Sequence, residues 1–594
     1  MTIRSCCIAL TLVFVGGCGK KQSGALSEAD SKVPLPQPPS VASCEPGVRG
    51  GRLKLANFTD PKTFNPITAN ETSSLDLIYW LFDGLVRKNQ VTHEIEPGLA
   101  ERWTVEPDKK TWTFYLRKGV LWSDGKPFSA DDVVFTYNDV IYNTNIVNVK
   151  ADYIRLDGKN FEVTKIDDHT VRVVTPEIYA PFLEFFAFDV RLVPKHILGP
   201  AVVENSFEAA YGVGTPPEQV VGTGPYRLKQ QKAGQFTLVE RNPYYWQVDS
   251  KGQRLPYFDN VIMMVVPDQN AMSLRFLNGE TDLQEFVRPE EYDRFKQAEA
   301  GGKFKLLELG VTSQRDLIIF NQNTGTNPAT GKPYVNATKL KWFRNTKFRQ
   351  AVSFAIDRPS IVQSTLGGRG EPLYGFITGS NQRWINTNIA QYPYNPARAK
   401  QLLKEIGIMD RNNDGVLEDA DGNVIEFEMN TNAGNSRREK GSIIVQDDLK
   451  KLGMRVNFRP LDFNLIVQKF TDAFDFECIF LGLASESTDP AEGLNNLRSS
   501  GYSHEWFPRQ KTPSTEWEAR IDFLMIANLK TLDFAERKKT FDEVQAVMAE
   551  QMPMIPTVAM NAYSAVNNNI GNIRPIVHHH NRLIWNIEEL YFKK

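Results

Sequence analysis

Two carboxylates follow a predicted buried strand in the segment TDAFDFECIFLGLASESTDPAEGLNN (residues 471–496). The apolar run Cys478–Leu483 predicts a strand that breaks at Gly482, and Glu486 and Asp489 come directly after it. A carboxylate in this position is suited to proton transfer, metal coordination, helix capping or pairing with a cationic ligand. The rest of the sequence decides between these tasks.

Motifs of the common enzyme classes are missing from the sequence. No Gly-rich phosphate loop ends in Lys-Ser or Lys-Thr, no Gly-x-Ser-x-Gly elbow occurs, and no His-Glu-x-x-His helix occurs. We therefore expect no catalytic residues, no cofactor and no enzymatic activity.

Two segments contain residues that can bind metals. DRNNDGVLEDAD (Asp410–Asp421) has the spacing of a calcium loop, but Asp421 is shorter than the usual Glu and Glu426–Met429 resembles a strand, which favours a polar turn. His578 and His580 would share one face of a strand, but a polar stretch near the chain end is the favoured interpretation. No metal site is predicted.

Periodic apolar residues predict a mixture of helices and strands. Trp112, Phe114 and Leu116 alternate with polar residues, which indicates a half-buried strand. Ser129 and Asp132 form a capping box before a helix, and Asn395-Pro396 starts another. With 594 residues and irregular alternation of elements, the chain is predicted to be an α/β protein with several lobes.

The overall composition is that of a globular protein. Hydrophobic residues make up 41% and charged residues 24%, and the formal net charge is −2. No global field favours nucleic acid, so we expect no nucleic-acid partner.

The N-terminus predicts export. Arg4 precedes the apolar run Cys6–Val15, and Gly16-Gly17-Cys18 resembles the bacterial lipobox. That resemblance implies a signal peptide over residues 1–17, cleavage before Cys18 and attachment of lipid to Cys18 as a membrane anchor. An ordinary signal peptide is the alternative.

The segment after Cys18 is rich in Ser, Pro and Lys, so residues 18–50 are predicted to be a flexible tether. Cys44 and Cys478 remain after processing. An exported location permits a disulfide, but two separate thiols are favoured because one cysteine lies in the tether and the other in an apolar strand.

Several motifs together resemble one protein family. The chain is similar to the family 5 solute-binding proteins of bacterial ABC importers, the oligopeptide- and dipeptide-binding group, from Gly51 to Lys594. The motifs, in chain order, are PGLAERW, WTFYLRKGVLWSDGKPFSADDVVFTY, GTGPYRL, LVERNPYYW, FRQAVSFAIDR and NPARAKQLLKEIG.

The resemblance implies a type II periplasmic-binding-protein-like fold. Two lobes joined by a hinge close on the ligand, and a small third domain is inserted in lobe one. The implied boundaries are residues 51–85, 222–309 and 553–594 for lobe one, 86–221 for the inserted domain and 310–552 for lobe two. Implied partners are a small solute and an ABC permease and ATPase complex in the inner membrane. A monomer on the periplasmic side of the cell envelope is expected.

The resemblance also interprets Glu486. Peptide binders of the family carry Gly-Trp, two residues, an Asp that pairs with the peptide amino group, two residues, an acid and Pro. In this sequence Gly482, Glu486, Asp489 and Pro490 occupy those spacings, with Glu486 in place of the Asp and Leu483 in place of the Trp. Ala484, which lies between Gly482 and Glu486, is also expected to contact the ligand. An ammonium anchor is one interpretation of Glu486, and a solvated loop acid is the other.

Two further stretches match ligand-binding positions of the family. Asn70, Glu71 and Thr72 correspond to a lobe-one segment beside the ligand backbone. Lys469 corresponds to a basic residue that can meet a ligand carboxylate, although an ordinary surface lysine is the alternative.

Capture of peptides for an ABC importer is the first function that the sequence predicts. The alternatives are the same role for a non-peptide solute, such as an oligosaccharide, an opine or a chelated metal, and an envelope signalling or chaperone-like role.

Overall fold

The computed structural model describes residues 33–594 apart from 486, 502 and 580. Strands and helices alternate along this part of the chain, as expected for an α/β protein. The strands are β1 (Ser40–Val41), β2 (Arg52–Asn57), β3 (Val86–Lys88), β4 (Ile95–Pro97), β5 (Ala100–Val105), β6 (Thr111–Leu116), β7 (Arg155–Leu156), β8 (Lys159–Asn160), β9 (Glu162–Asp167), β10 (Thr170–Val174), β11 (Tyr226–Lys232), β12 (Phe236–Arg241), β13 (Gln247–Val248), β14 (Asn260–Val265), β15 (Leu283–Val287), β16 (Phe304–Phe320), β17 (Gly370–Pro372), β18 (Glu426–Asn432), β19 (Arg455–Leu461), β20 (Cys478–Leu483), β21 (Met554–Asn567), β22 (Ile570–Gly571) and β23 (Tyr591–Phe592).

The helices surround three main sheets. The α-helices are α1 (Thr72–Leu81), α2 (Ala130–Val134), α3 (Lys150–Tyr153), α4 (Lys195–Val203), α5 (Gln269–Leu277), α6 (Tyr292–Glu299), α7 (Ala337–Phe343), α8 (Thr346–Ala355), α9 (Arg358–Leu366), α10 (Pro396–Glu405), α11 (Ser436–Leu452), α12 (Phe463–Gln468), α13 (Leu494–Leu497), α14 (Glu516–Lys530) and α15 (Phe534–Gln551). Wider π-helical turns cover Phe135–Ile141, Leu183–Phe188 and Lys469–Ala473.

The strands form one large and two smaller sheets, together with short two-stranded pairs. One four-stranded sheet has the order β11-β12-β14-β2, and another has the order β5-β6-β10-β9. The large sheet has the order β15-β21-β16-β20-β18-β19, with β17 also paired to β21.

Two long antiparallel strands run through the large sheet. β16 and β21 pair from Phe304 opposite Asn567 to Ile319 opposite Met554, and the register shifts between Glu308 and Gly310. Gly310 has φ +91°, a conformation that residues with a side chain rarely adopt. One end of this ribbon pairs with β15 and the other with β20, so the two strands link separate parts of the molecule.

The segment 33–50 is attached to the protein body. β1 pairs in parallel with β13, and Arg254 Nη2 donates to the carbonyl of Val33 at 2.7 Å. The prediction of a flexible tether is therefore wrong for residues 33–50. Extended Pro-rich backbone leaves its carbonyls without internal partners, which makes it a good acceptor for a buried arginine.

Several local predictions are confirmed. Ser129 and Asp132 form the reciprocal capping box at the start of α2, and Asn395 caps α10 through Arg398 N. β20 has the predicted bounds, but Gly482 does not break it, because its pairing with β16 continues to Leu483.

Buried side chains fill both faces of the β16–β20 pair. Leu317 and Leu481 belong to the apolar cluster on one face, and Ile318 and Phe480 belong to the cluster on the other. Cys44 and Cys478 are separate free thiols, and burial raises the pKa of each. Among the described helices, none combines the length and apolar character required to cross a bilayer.

Candidate functional site

The strand pair β16–β20 carries charged groups on both faces near the end of β20. Arg315 lies opposite Leu483, and Asp316 lies opposite Gly482. Because side chains alternate along a strand, Arg315 and Leu483 point to one face and Asp316 to the other. The two faces have different electrostatic surroundings.

On the Asp316 face, the charges are paired. Arg437 Nε donates to Asp316 Oδ2 at 2.8 Å, Arg437 Nη2 donates to Oδ1 at 3.0 Å, and Arg438 Nε donates to Oδ1 at 3.2 Å. Burial would raise the pKa of Asp316, but the two guanidinium groups outweigh it and hold that pKa below its ordinary value. This cluster is an ionised, hydrogen-bonded part of the core.

Gly482 is packed against that cluster. A Cβ atom at Gly482 would lie 2.0 Å from Arg438 Nη2 and 2.7 Å from Asp316 Oδ1. The guanidinium group of Arg438 therefore occupies the space that a side chain would need. This contact explains a glycine here independently of any ligand.

On the other face, Arg315 contacts neutral acceptors. Its Nη1 donates to Ser485 Oγ at 3.1 Å and to the carbonyl of Ser313 at 3.3 Å. The residue is 7% exposed, and within the described part of the chain its Nε has no acceptor. Burial lowers the pKa of Arg315, and Glu505 and Glu492 act in the opposite direction from beyond hydrogen-bond distance.

Three parts of the chain meet where β20 ends. Ser313 Oγ donates to the carbonyl of Ser485 at 2.6 Å and approaches the carbonyl of His578 at 3.5 Å. Ser487 Oγ donates to Glu184, which also forms a salt bridge with the buried Lys88. Hydroxyls and charges of both signs therefore converge on this junction, which we call the strand-end site (residues 313–315, 482–485 and 487–489 with Glu184 and His578).

Two histidines lie beside the strand-end site. The rings of His93 and His578 are 4.5 Å apart, and His578 Nε2 lies 3.3 Å from Gln90 Oε1. Burial, His93 and Lys88 lower the pKa of His578 to about 3, so this ring is neutral at physiological pH. The positive charge in this region comes from lysine and arginine side chains.

Asp489 is already paired. Arg537 Nη1 and Nη2 donate to its two oxygens at 2.8 and 2.7 Å, and Asp489 Oδ1 also accepts from Ala491 N. Both side chains are largely buried. Of the two acids that follow β20 in the sequence, Asp489 therefore caps a turn and neutralises an arginine.

The predicted binding residues of the 469–486 region have varied surroundings. Glu486 lies outside the described residues. Ala484 is exposed at the end of β20. Lys469 Nζ lies 3.0 Å from Asp475 Oδ2 within its own loop. The ligand-binding roles of Gly482, Ala484, Glu486 and Lys469 stay predictions.

The predicted lobe-one segment begins a helix. Asn70 is exposed and its N donates to Glu71 Oε2 at 3.3 Å, while Glu71 also accepts from Ser74. Thr72 is the first residue of α1. Asn70 lines a cavity of about 210 Å³ with Thr68, Val147–Val149 and Glu208. Within the described residues no hydrogen bond joins 70–72 to 482–485, so their shared role also stays a prediction.

The Asp410–Asp421 loop satisfies its own backbone. Gly415 N donates to Asp410 Oδ2 at 2.9 Å, and Asp419 accepts from Trp342 Nε1 at 3.1 Å. β18 follows the loop where a calcium loop would have a helix. In the described part of the chain, no cluster of three or more acidic, His or Cys side chains is arranged to hold a metal ion.

Sequence reasoning missed Ser313, Arg315 and Glu184. The available signal was the pair Arg315-Asp316, two adjacent charges at the start of the apolar run Leu317–Phe320. Adjacent residues of a strand face opposite sides, so one charge of such a pair must be accommodated on each face.

Comparison with known proteins identifies relatives over most of the chain. Residues 94–505 match the family model of the bacterial extracellular solute-binding proteins, family 5. A probable ABC transporter-binding protein of Deinococcus radiodurans is 31% identical, over 90% of this chain and 91% of its own. The oligopeptide-binding protein AppA of Bacillus subtilis is 29% identical, over 98% of this chain and 97% of its own.

Solved structures share the fold. AppA of Bacillus subtilis in complex with a nonapeptide superimposes with a TM-score of 0.77 at 26% identity, covering 92% of this chain and 100% of that one. The periplasmic binding protein MelB of Agrobacterium fabrum in complex with stachyose gives a TM-score of 0.80 at 23% identity, covering 92% and 86%. The type II periplasmic-binding-protein fold expected from the sequence is confirmed.

Proposed function

The chain belongs to the bacterial extracellular solute-binding proteins of family 5, and from this membership we propose that it captures peptides between two lobes and delivers them to the permease of an ABC importer. The observation that carries the peptide assignment is the similarity to an oligopeptide-binding protein over 98% of this chain. The nonapeptide complex of the same relative has the same fold.

The proposed lobes keep the boundaries expected from the sequence: 51–85, 222–309 and 553–594 for lobe one, 86–221 for the inserted domain and 310–552 for lobe two. The bulge at Gly310 in the β16–β21 ribbon supports a hinge there, because an irregular strand position can absorb a change of backbone angle.

Contacts across the proposed boundaries support a closed arrangement. Ala180 N donates to the carbonyl of Leu529 at 2.7 Å, and Tyr153 Oη donates to the carbonyl of Glu492 at 3.3 Å. Lys530 and Asp157 form a salt bridge at 2.5 Å. These bonds join the inserted domain to lobe two beside the strand-end site, so a ligand held there would be enclosed by closure.

Glu486 is proposed to pair with the ligand ammonium. Its sequence neighbours Ser485 and Ser487 both belong to the strand-end site. Glu486→Gln would leave a buried ammonium unpaired, which typically weakens binding by a factor of roughly thirty or more. Titration calorimetry with free and N-acetylated peptides tests this role, and equal affinity of wild type for both forms would contradict it.

Mass spectrometry of ligand retained through gentle purification tests the peptide assignment. We expect peptides of mixed sequence, because hydrogen bonds to peptide backbone are independent of side chains. A single defined non-peptide molecule, such as an oligosaccharide, would replace the peptide assignment while leaving the transport role intact.

Attachment to the membrane is proposed through lipid on Cys18. Cys18→Ser is expected to give uncleaved precursor or to release the protein from the membrane fraction. A mature-sized product with unchanged detergent partitioning would contradict the anchor. We also propose that the purified protein does not hydrolyse bound peptides, and turnover that survives repurification would contradict this.

A further inference from the structure

Buried arginines in this protein fall into two groups according to their acceptors. Arg358 makes hydrogen bonds through Nε, Nη1 and Nη2 to the carbonyls of Leu373, Pro556, Ser353 and Tyr392 and to Ser353 Oγ. Arg349 likewise bonds to the carbonyls of Met552, Phe343 and Gln551. Such arginines are held by the fold and need no further partner.

Arg315 differs from both. Its Nη1 has two neutral acceptors, and its Nε has none among the described residues, although the side chain is only 7% exposed. A guanidinium group stays charged in proteins, and a buried N–H group of such a cation that has no acceptor is costly. The fold therefore holds a cation whose hydrogen bonds are incomplete among the described residues.

The buried carboxyl of Glu505, which acts electrostatically on Arg315, does not complete them. Glu505 is 2% exposed, and its Oε1 accepts from Asn496 Nδ2 at 2.6 Å while Oε2 has no partner within the described residues. Burial raises the pKa of Glu505 to about 8, against the opposing effects of Arg315 and Asn496. At neutral pH this carboxyl is mostly protonated, so it supplies little negative charge to Arg315.

The position of Arg315 connects it to the proposed ligand. Its Nη1 bonds to Ser485, the residue before Glu486, and Ser485 bonds in turn to Ser313. Arg315 on β16 lies opposite Leu483 on β20, and Leu483 stands where peptide binders of the family have Trp. Arg315 therefore shares a face of the sheet with that position. An incoming group at this point would meet a guanidinium whose Nε has no acceptor among the described residues and the hydroxyl of Ser485.

We propose that Arg315 is the anion-binding residue of the cleft and that it pairs with a carboxylate of the ligand, assisted by the hydroxyl of Ser485, which accepts from Arg315 and keeps its own proton to donate. Guanidinium groups bind carboxylates through charge-assisted hydrogen bonds, which are roughly twice as strong as neutral ones. The inference rests on the proposed solute-binding function and deepens it, since it requires an acidic ligand. Arg191 and Arg582 also retain N–H groups without acceptors in the described chain, but they lie over the rings of Tyr79 and Phe286.

The experiment uses the full-length mature protein stripped of ligand and a randomised tetrapeptide mixture without Asp or Glu. The mixture is prepared with free carboxyl termini and, separately, with amidated termini. A third preparation is amidated but contains Asp and Glu, which distinguishes a terminal carboxylate from a side-chain carboxylate. Native mass spectrometry under competition gives the relative affinities.

Wild type is expected to prefer one of the carboxylate-bearing mixtures over the neutral amide by roughly thirtyfold or more. Arg315→Gln is expected to remove that preference by weakening binding of the carboxylate form alone. Arg344→Gln is the matched control, because it removes a guanidinium that donates to Ser514 Oγ in an exposed position of the same lobe. Arg315→Lys, which keeps the charge, provides a second variant if Arg315→Gln fails to fold.

Equal binding of all three mixtures by wild type would overturn the inference. It would also be overturned by a carboxylate preference that survives in Arg315→Gln. If wild type binds none of the mixtures, the peptide assignment fails, and acetate becomes the probe in thermal unfolding. Stabilisation by acetate that wild type shows and Arg315→Gln lacks would support the carboxylate site without peptides, whereas an equal response of both would overturn it.

Discussion

Asp316 and Arg315 are adjacent in one strand, yet the two faces that they occupy differ in how completely charges are paired. On the Asp316 face, one carboxylate receives three hydrogen bonds from two arginines. On the Arg315 face, one guanidinium donates only to neutral acceptors, and its Nε has no partner in the described chain. The same strand pair thus carries a completed ion cluster and an incomplete one.

The difference separates stability from binding. A completed buried cluster stabilises one arrangement of the strands, and removing one member leaves the others unpaired. An incomplete cluster stabilises the strands less and leaves hydrogen bonds for a ligand to make. We therefore expect substitutions on the Asp316 face to change the free energy of unfolding and substitutions on the Arg315 face to change ligand affinity.

The largest expected effect is that of Asp316→Ala. This change leaves Arg437 and Arg438 buried without a counter-ion, which typically lowers the free energy of unfolding by ~3–5 kcal/mol. Urea unfolding followed by circular dichroism measures it. Asp293→Ala is the matched control, since Asp293 pairs with Arg369 but is 80% exposed, and a loss of ~1 kcal/mol or less is expected. Equal losses in the two variants would contradict the stabilising role of the buried Asp316 cluster.

The strand β20 and the fold could be predicted from the sequence. The apolar run Cys478–Leu483 is short, begins after the charged Glu477 and ends before the small residues Ala484 and Ser485, so its bounds follow from local pattern. Asn395-Pro396 and Ser129 likewise specify helix starts through their own side chains. The resemblance to a known family predicted the type II periplasmic-binding-protein fold, which local pattern does not contain.

The two faces could not be predicted in the same way. Whether Arg315 or Asp316 faces Leu483 depends on the register between β16 and β20, two strands far apart in sequence. The glycine at 482 was interpreted through the ligand, whereas the structure explains it by Arg438, which comes from α11. The prediction that the segment 33–50 is a flexible tether rests on composition alone, and composition does not show that Arg254 donates a hydrogen bond to the carbonyl of Val33.

Replacing two buried arginines by the similarly shaped methionine sharpens the comparison. Arg349→Met leaves three buried carbonyls without their donor, and a loss of about 3 kcal/mol or more is expected. Arg315→Met removes a charge that has no ionised partner, so the stability of the ligand-free protein should change by less than ~1 kcal/mol in either direction. Urea unfolding of both variants without ligand measures these changes. Equal losses would show that Arg315 stabilises the fold as much as Arg349 does.

A smaller effect is expected from Gly482→Ala. The added Cβ would meet Arg438, so the guanidinium must move away from Asp316, and a loss of ~1–3 kcal/mol follows. Gly214→Ala is the control, because no atom lies within 4 Å of its added Cβ, and a change within ~0.5 kcal/mol is expected. If the two variants are equally stable but Gly482→Ala alone binds ligand more weakly, then Gly482 serves the ligand rather than the core.

The smallest expected effect is a pH dependence of affinity on the Arg315 face. Burial places the pKa of Glu505 at about 8. Below that pH the carboxyl is protonated and Arg315 is available to a ligand carboxylate. Above it, ionised Glu505 supplies an internal negative charge and repels the ligand. The affinity of wild type for the free-acid tetrapeptide mixture should therefore fall a few-fold between pH 7 and pH 9, less than the roughly tenfold change that one pKa unit represents.

Glu505→Gln provides the comparison that isolates this group. The α-amino groups of the peptides also titrate near pH 8, but they affect wild type and Glu505→Gln equally. Titration calorimetry of both proteins at matched pH values should show a steeper loss in wild type, with the two curves meeting at low pH where Glu505 is neutral. Parallel curves across the whole range would show that Glu505 does not act on the ligand carboxylate, and the incomplete cluster would then consist of Arg315 alone.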